Sequence, residues 1–232
     1  MRVAIVTGGS KGFGRALTAG LLREGWAVVT DARHADELDA SAHQLAAEGG
    51  RLVALAGDIT DPAHQAALLD AVAGLGPLEL IVNSAGGLGP SPLPSLAEYP
   101  TASLDELFHI NVVAPLQLLQ RALPQLRANH GTVVNVTSDA AVEGYPGWGG
   151  YGATKAAFEQ LSRVLAAEEP DVAVYWVDPG DMRTQMHQDA FPGEDISDRP
   201  LPEDSVPGML VLLADRPPSG RYHARELTGA PR

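Results

Sequence analysis

The chain contains only two lysines beside fourteen arginines, and one of them, Lys155, follows a tyrosine by four residues in Tyr151-Gly-Ala-Thr-Lys155. On a helix, positions i and i+4 share a face, so a phenol and an ammonium at this spacing can address one small space. Tyrosine titrates near pH 10 in water, and a positive charge at ~4 Å is worth roughly 4 kcal/mol at an effective dielectric of 20, about three pK units. A phenol lowered that far can give and take protons near neutrality, which is the task of a general acid–base. The same spacing also describes an exposed Tyr/Lys pair of little energetic weight, so the surroundings have to decide.

The other lysine, Lys11, lies in Thr7-Gly8-Gly9-Ser10-Lys11-Gly12-Phe13-Gly14, between the apolar run Val3–Val6 and an apolar helical segment. Glycines in a strand-to-helix turn permit a tight bend and a close approach of backbone to a pyrophosphate, which then rests on the N-terminal N–H groups of the helix. Lys11 can reach such a phosphate. Both lysines therefore fall inside motifs.

These groups need a scaffold that brings strand ends together. Short apolar or β-branched runs at Val3–Val6, Ala27–Thr30, Leu52–Leu55, Leu80–Val82, Thr132–Val136 and Val172–Val177 read as strands. Helix-length segments near 14–24, 35–48, 62–74, 103–128 and 150–169 alternate with them. This β-α order predicts a doubly wound α/β fold: a parallel sheet covered on both faces, with ligands outside the carboxyl ends of the strands. Gly86–Pro100, with four prolines, and Pro192–Pro207 read as loops bordering a cleft. Ser219–Leu227 can supply a final strand, and Gly229–Arg232 reads as a loose tail.

Composition narrows the function classes. A chain of 232 residues with 45% hydrophobic residues is expected to form one domain. A formal charge of -13 opposes a phosphate-backbone binder, so no nucleic-acid partner is expected. No stretch approaches the ~20 apolar residues of a membrane span, and Met1–Val6 does not read as a signal peptide, so the expected location is the cytoplasm. With no cysteine, and with seven histidines lacking ligand spacing, thiolate chemistry is excluded and metal chemistry is not expected.

Together, Thr7-Gly8-x-x-x-Gly12-x-Gly14, Asn83-Ser84-Ala85-Gly86, Asn111, Ser138, Tyr151-x-x-x-Lys155 and Pro179-Gly180-x-x-x-Thr184 resemble the short-chain dehydrogenase/reductase family over about residues 3–185. The glycine spacing is similar to its shorter branch. The resemblance implies a Rossmann-type three-layer α/β/α domain spanning 1–232, with a substrate-binding loop region near 181–207. It implies that Tyr151 protonates a carbonyl oxygen as hydride arrives, or removes the proton in reverse. Lys155 would lower the pKa of Tyr151 and contact the nicotinamide ribose, Ser138 would orient the substrate oxygen, and Asn111 would complete a proton relay. Ser138 can also cap the segment after its strand, and Asn111 can be a satisfied helix polar group. His109 and His187 read as structural or substrate-loop residues.

The same resemblance places Thr7, Gly8, Ser10, Lys11, Gly12, Phe13 and Gly14 around the cofactor phosphates. Asn83, Ala85, Gly86, Asp58 and Ile59 fall on its adenosine side, and Tyr151, Lys155, Pro179, Gly180 and Thr184 by its nicotinamide. Asp58 can instead cap a turn. At the end of the second strand, Thr30-Asp31-Ala32-Arg33 offers an acid for a ribose 2'-OH and an arginine for a 2'-phosphate. The acidic position of NAD-using members falls on Ala32 and the basic one on Arg33, so NADP(H) is favoured over NAD(H), with Asp31 as the contrary sign. The implied reaction interconverts a ketone or aldehyde and an alcohol. A cofactor-binding sensor without turnover, or a dehydratase or epimerase using the same relay, stays open. Leu104–Leu126 is apolar on nearly every face, which predicts a homodimer or homotetramer.

Overall fold

The computed structural model describes residues 1–227; the expected tail at Gly229–Arg232 lies outside them. Seven strands, β1 (Val3–Val6), β2 (Ala27–Ala32), β3 (Arg51–Ala56), β4 (Leu78–Asn83), β5 (Thr132–Val136), β6 (Ala173–Asp178) and β7 (Gly220–His223), form one parallel sheet in the order β3-β2-β1-β4-β5-β6-β7. The final strand expected after Ser219 is thus β7. The central strands are apolar at successive positions because both faces are covered. Ala4, Val6, Val28, Val82 and Val177 pack with α1 (Gly12–Arg23) on one face. Val3, Ile5, Val29, Ile81 and Val174 pack on the other with α3 (Pro62–Ala73) and α5 (Ala114–Ala128). Helix α2 (Ala35–Leu45) adds Leu45 to the first face.

Two expectations are corrected. The continuous helix predicted over 103–128 is α4 (Thr101–Phe108), a π-helical turn at His109–Val113, and α5. The substrate-loop region expected near 181–207 contains α7 (Gln185–Ala190), and α8 (Val206–Asp215) begins at the end of the stretch read as loop. Val206, Met209 and Leu212 of α8 join the core beside α1, and a Cβ on Gly20 would meet Val206 Cγ1 at 2.6 Å. Helix α6 (Gly149–Glu168) completes the order. Among the described residues no helix is long and apolar enough to cross a membrane, and no group of three His, Asp or Glu side chains is placed to hold a metal.

The chain leaves β1 toward β2 and β3 in one direction and toward β4 in the other. The crevice above the ends of β1 and β4 is the switch point where this architecture binds ligands.

Candidate active site

One cleft opens above the carboxyl ends of the strands. Gly8, Ser10, Lys11, Gly12, Phe13, Gly14, Arg33, Asp58, Ile59, Ala85, Gly86, Ser138, Tyr151, Lys155, Pro179, Gly180 and Thr184 line it. Thr7, Asn83 and Asn111 are buried outside its wall. Thr7 Oγ1 accepts from the N–H groups of Ser84 (3.1 Å) and Ala85 (3.0 Å), fastening the turn after β1 to the turn after β4. Asn83 Nδ2 donates to Asn135 Oδ1 (2.8 Å), bracing β4 against β5. Thr7 and Asn83 thus support from beneath the turns that line the cleft.

The glycine loop is shaped for close approach. Gly8 has φ +76° and a Cβ there would stand 2.9 Å from Ala85 Cα; a Cβ on Gly14 would stand 2.5 Å from the Gly8 carbonyl oxygen. The N-cap of α1, Lys11, makes no side-chain capping bond, so the helix presents its first N–H groups to the cleft, where an anionic group is the natural partner. These features fit a dinucleotide pyrophosphate. Lys11 Nζ lies 3.5 Å from Glu37 Oε2, an exposed pair of small energetic weight that leaves the ammonium free to turn toward a phosphate.

Asp31, the acid read as a sign of NAD(H), lines the cleft but is engaged within the protein. It is buried, its Oδ1 accepts from Gly8 N–H (2.9 Å), and its Oδ2 lies 3.1 Å from His64 Nε2. One oxygen thus holds the glycine loop and the other meets α3. Arg33 is exposed on the cleft wall and, among the described residues, makes no ion pair. Asp58 Oδ1 accepts from Thr60 N–H and Oγ1–H, both at 2.8 Å, so it does stabilise a turn; these bonds, the backbone one foremost, hold its carboxyl below the usual value.

At the other end, α6 carries Tyr151 and Lys155 with only 9% and 6% of their surfaces exposed, which disposes of an exposed surface pair. Lys155 Nζ donates to the Val136 carbonyl (2.8 Å) and lies 5.5 Å from the centroid of the Tyr151 ring. Burial lowers the Lys155 pKa to about 8. The phenol goes the opposite way from the expectation: burial first, then the Asp178 and Asp139 carboxylates, raise the Tyr151 pKa, and only the Ser138 hydroxyl lowers it. A buried neutral phenol is favoured here because desolvation and the neighbouring carboxylates both penalise the phenolate.

Ser138 both lines the cleft and caps. Its Oγ donates to Asp139 Oδ1 (2.9 Å) and accepts from Ala140 N–H (3.2 Å). Asn111 sits on the π-helical turn, a device common at functional sites. Its Oδ1 accepts from Gly87 N–H (2.8 Å), while Nδ2 donates to Gly87 O (3.0 Å) and to Thr154 Oγ1 (2.9 Å); Thr154 Oγ1–H in turn donates to Tyr151 O (2.7 Å). The amide links the loop after β4 to the helix of Tyr151. Thr184 caps α7, accepting from His187 N–H (3.2 Å). His187 is buried against Phe191 and lines the cleft, whereas His109 is exposed.

The sequence profile of the short chain dehydrogenase family matches residues 2–195. This chain belongs to that family. It is accordingly an oxidoreductase, and the family binds NAD(P) and acts on small molecules. A cis-2,3-dihydrobiphenyl-2,3-diol dehydrogenase of Pseudomonas sp. (strain KKS102) is 36% identical over 98% of this chain and 82% of its own. A serine 3-dehydrogenase of Agrobacterium fabrum is 30% identical over 96% and 92%. Among solved structures, a short chain dehydrogenase of Shigella flexneri complexed with NADP superposes with TM-score 0.86 at 28% identity, covering 97% of each chain. An alcohol dehydrogenase of the archaeon Thermococcus sibiricus, complexed with 5-hydroxy-NADP, gives 0.83 at 26% identity, covering 100% and 99%.

Sequence reasoning missed part of this dehydrogenase's cleft. Trp148 stands edge-on to Tyr151 (centroids 5.7 Å apart) and 6.0 Å from Phe191, making an aromatic wall beside the phenol. Phe191 and the cleft-lining Met186 come from the segment after Thr184. Asp178 also faces the cleft. Its place directly before Pro179-Gly180 was the available signal.

Proposed function

We propose that this chain reduces a ketone or aldehyde to an alcohol with NADPH, working reversibly, as one functional unit spanning residues 1–232. The observation that carries this reading is the burial of Tyr151 and Lys155 together beside Ser138 at the end of a cleft whose other end is a glycine-cradled anion site. When bound, the dinucleotide supplies or accepts hydride. Gly8, Ser10, Gly12, Phe13 and Gly14 hold its pyrophosphate, Asp58, Ile59, Ala85 and Gly86 border its adenosine, and Lys155, Pro179, Gly180 and Thr184 border its nicotinamide end. Tyr151 Oη–H gives its proton to the substrate oxygen, and Ser138 Oγ fixes that oxygen. Lys155 carries the positive charge that stabilises the phenolate left behind. Asn111 holds Gly87 and the Tyr151 helix in register, and its π turn provides the route by which Lys155 exchanges protons with solvent. A raised phenol pKa keeps Tyr151 protonated through neutral pH, the form that can give a proton to a carbonyl oxygen.

Arg33 supports the choice of NADP(H), since its guanidinium is uncommitted while Asp31 is engaged by Gly8 and His64. The Shigella flexneri and Thermococcus sibiricus relatives, complexed with NADP and 5-hydroxy-NADP, favour the same choice. The aromatic wall suits a substrate with an apolar or aromatic body. Apolar residues left partly open along α4–α6, including Val113 and Val164, favour assembly as a homodimer or homotetramer in the cytoplasm. The test is a panel of carbonyls and alcohols, read at the nicotinamide absorbance with each cofactor in turn. In that assay Arg33→Ala is expected to raise the KM for NADPH by about tenfold or more, the loss of one charge-assisted contact, and to leave that for NADH nearly unchanged. An unaltered NADPH KM refutes the assignment. Tight cofactor binding without turnover of any panel member would instead mark a sensor.

A further inference from the structure

Behind the cleft, side chains outside the dehydrogenase motifs form an ionic cluster around two buried carboxylates. Glu159, 1% exposed, lies on α6 one turn beyond Lys155. Its Oε1 accepts from Thr137 Oγ1–H and from Arg221 Nε–H, both at 2.9 Å, and its Oε2 accepts from Arg163 (2.8 Å). Arg221 comes from β7. One of its terminal nitrogens donates to the Ser138 carbonyl (3.2 Å) and approaches Asp178 Oδ2 (3.4 Å), and the other meets His223 Nε2 (2.7 Å). His223 Nδ1 is 3.5 Å from the same Asp178 oxygen, while Asp178 Oδ1 accepts from Gly180 N–H (2.8 Å).

We propose that Arg221 is a positioning residue, holding the Ser138 carbonyl and the Asp178 carboxylate in place behind the reacting phenol. The role rests on the reading of Tyr151 and Ser138 as the reacting pair.

The geometry gives it two consequences. Ser138 O also accepts from Ala141 N–H (3.1 Å), so Arg221 anchors the start of the turn at Asp139–Ala141 that sets the direction of the Ser138 side chain. A single guanidinium thereby joins β7 to the ends of β5 and β6 and, through Glu159, to the helix of Tyr151 and Lys155. The planar fork is suited to this; an ammonium would reach fewer of these acceptors. Second, Asp178 faces the cleft, and its nearest cationic partner is Arg221, with the His223 ring beside the same carboxylate oxygen. Arg163 is committed to Glu159, Lys155 to the Val136 carbonyl, and Asp139 adds a further negative charge near the phenol. Removing Arg221 leaves the Asp178 charge less opposed, which keeps Tyr151 protonated to higher pH.

The experiment compares wild type with Arg221→Met, Arg221→Lys and the double variant Asp178→Asn/Arg221→Met. Amide hydrogen exchange on the cofactor-free proteins needs no turnover. Arg221→Met is expected to speed exchange across residues 139–143 by about tenfold or more, with the β1 and β4 amides unchanged and Arg221→Lys intermediate. Exchange that stays as in wild type over 139–143, or that rises equally throughout the chain, overturns the proposal. In the turnover arm, Arg221→Met is expected to lower kcat at nearly unchanged cofactor KM. The alkaline rise of alcohol oxidation should move to higher pH, and Asp178→Asn in the double variant should return it. A return that does not occur also overturns the proposal. If wild type transfers no hydride, the proposed reaction fails while the exchange result still decides the role of Arg221.

Discussion

Replacing Tyr151 by phenylalanine is expected to lower kcat by about 10²–10⁴-fold, the range that a positioned proton donor contributes. NADPH affinity, measured by fluorescence titration, should change by less than about twofold, because the hydroxyl removed adds no charge to the cofactor's recognition. A loss of binding that matches the loss of rate would mean that Tyr151 holds the cofactor and does not move the proton. The pH profile sharpens the test. With the phenol pKa raised by burial and by Asp178 and Asp139, the wild-type phenol remains protonated through the neutral range, so carbonyl reduction should run level there. Alcohol oxidation needs the phenolate and should rise with pH across the same range. An oxidation rate that is already level at neutral pH would show a phenol lowered by Lys155 once the complex forms.

Substituting Lys155 by methionine should abolish turnover while making the protein more stable at pH 7. The lysine is buried, and its pKa falls from 10.5 to about 8, so the folded protein binds fewer protons than the unfolded chain between those values. Stability therefore rises with pH from about 8 to 10.5, and the cost of burying the charged ammonium is fully present below pH 8. A depression of that size corresponds to about 3 kcal/mol, and the Val136 carbonyl, deprived of its donor, takes back about 1 kcal/mol. The expected gain is about 1–3 kcal/mol at pH 7, read as a shift in the denaturation midpoint, and it should fade as the pH approaches 10.5. A variant destabilised at every pH would mean that the Nζ–Val136 bond outweighs the desolvation. Retention of a strongly destabilising cation at position 155 is what a catalytic residue looks like in energetic terms.

What was legible in the chain follows from how local its causes are. The glycine loop was readable because the approach of Gly8 to Ala85 and of Gly14 to Gly8 excludes a Cβ, so the requirement is written at single positions. The parallel strands were readable because burial on both faces makes them apolar at successive residues. Helix α8 was not, since Val206–Leu213 is apolar on most sides and follows a proline-bearing stretch, which hides the helical period. Nothing in His109–Val113 announces a π turn; the extra residue per turn shows only as the backbone that points Asn111 at Gly87. The surroundings of Asp31 were not readable because its side-chain direction depends on His64, thirty-three residues away. The sign of the Tyr151 shift was misjudged for a related reason: the i+4 ammonium is local, whereas the burial and the Asp178 charge that overcome it come from β5, β6 and the loops around them.

The central claim is that this cleft moves hydride between a dinucleotide and a carbonyl carbon while Tyr151 moves the proton. The most direct measurement uses NADPH dideuterated at the nicotinamide C4, incubated with a carbonyl substrate from the panel and with the wild-type or Tyr151→Phe protein, followed by mass analysis of the product. Wild type should yield an alcohol with one deuterium on its carbinol carbon and oxidised cofactor in equal amount, and Tyr151→Phe should yield almost none. Product formed without deuterium, with the label still in the reduced cofactor, would contradict the account.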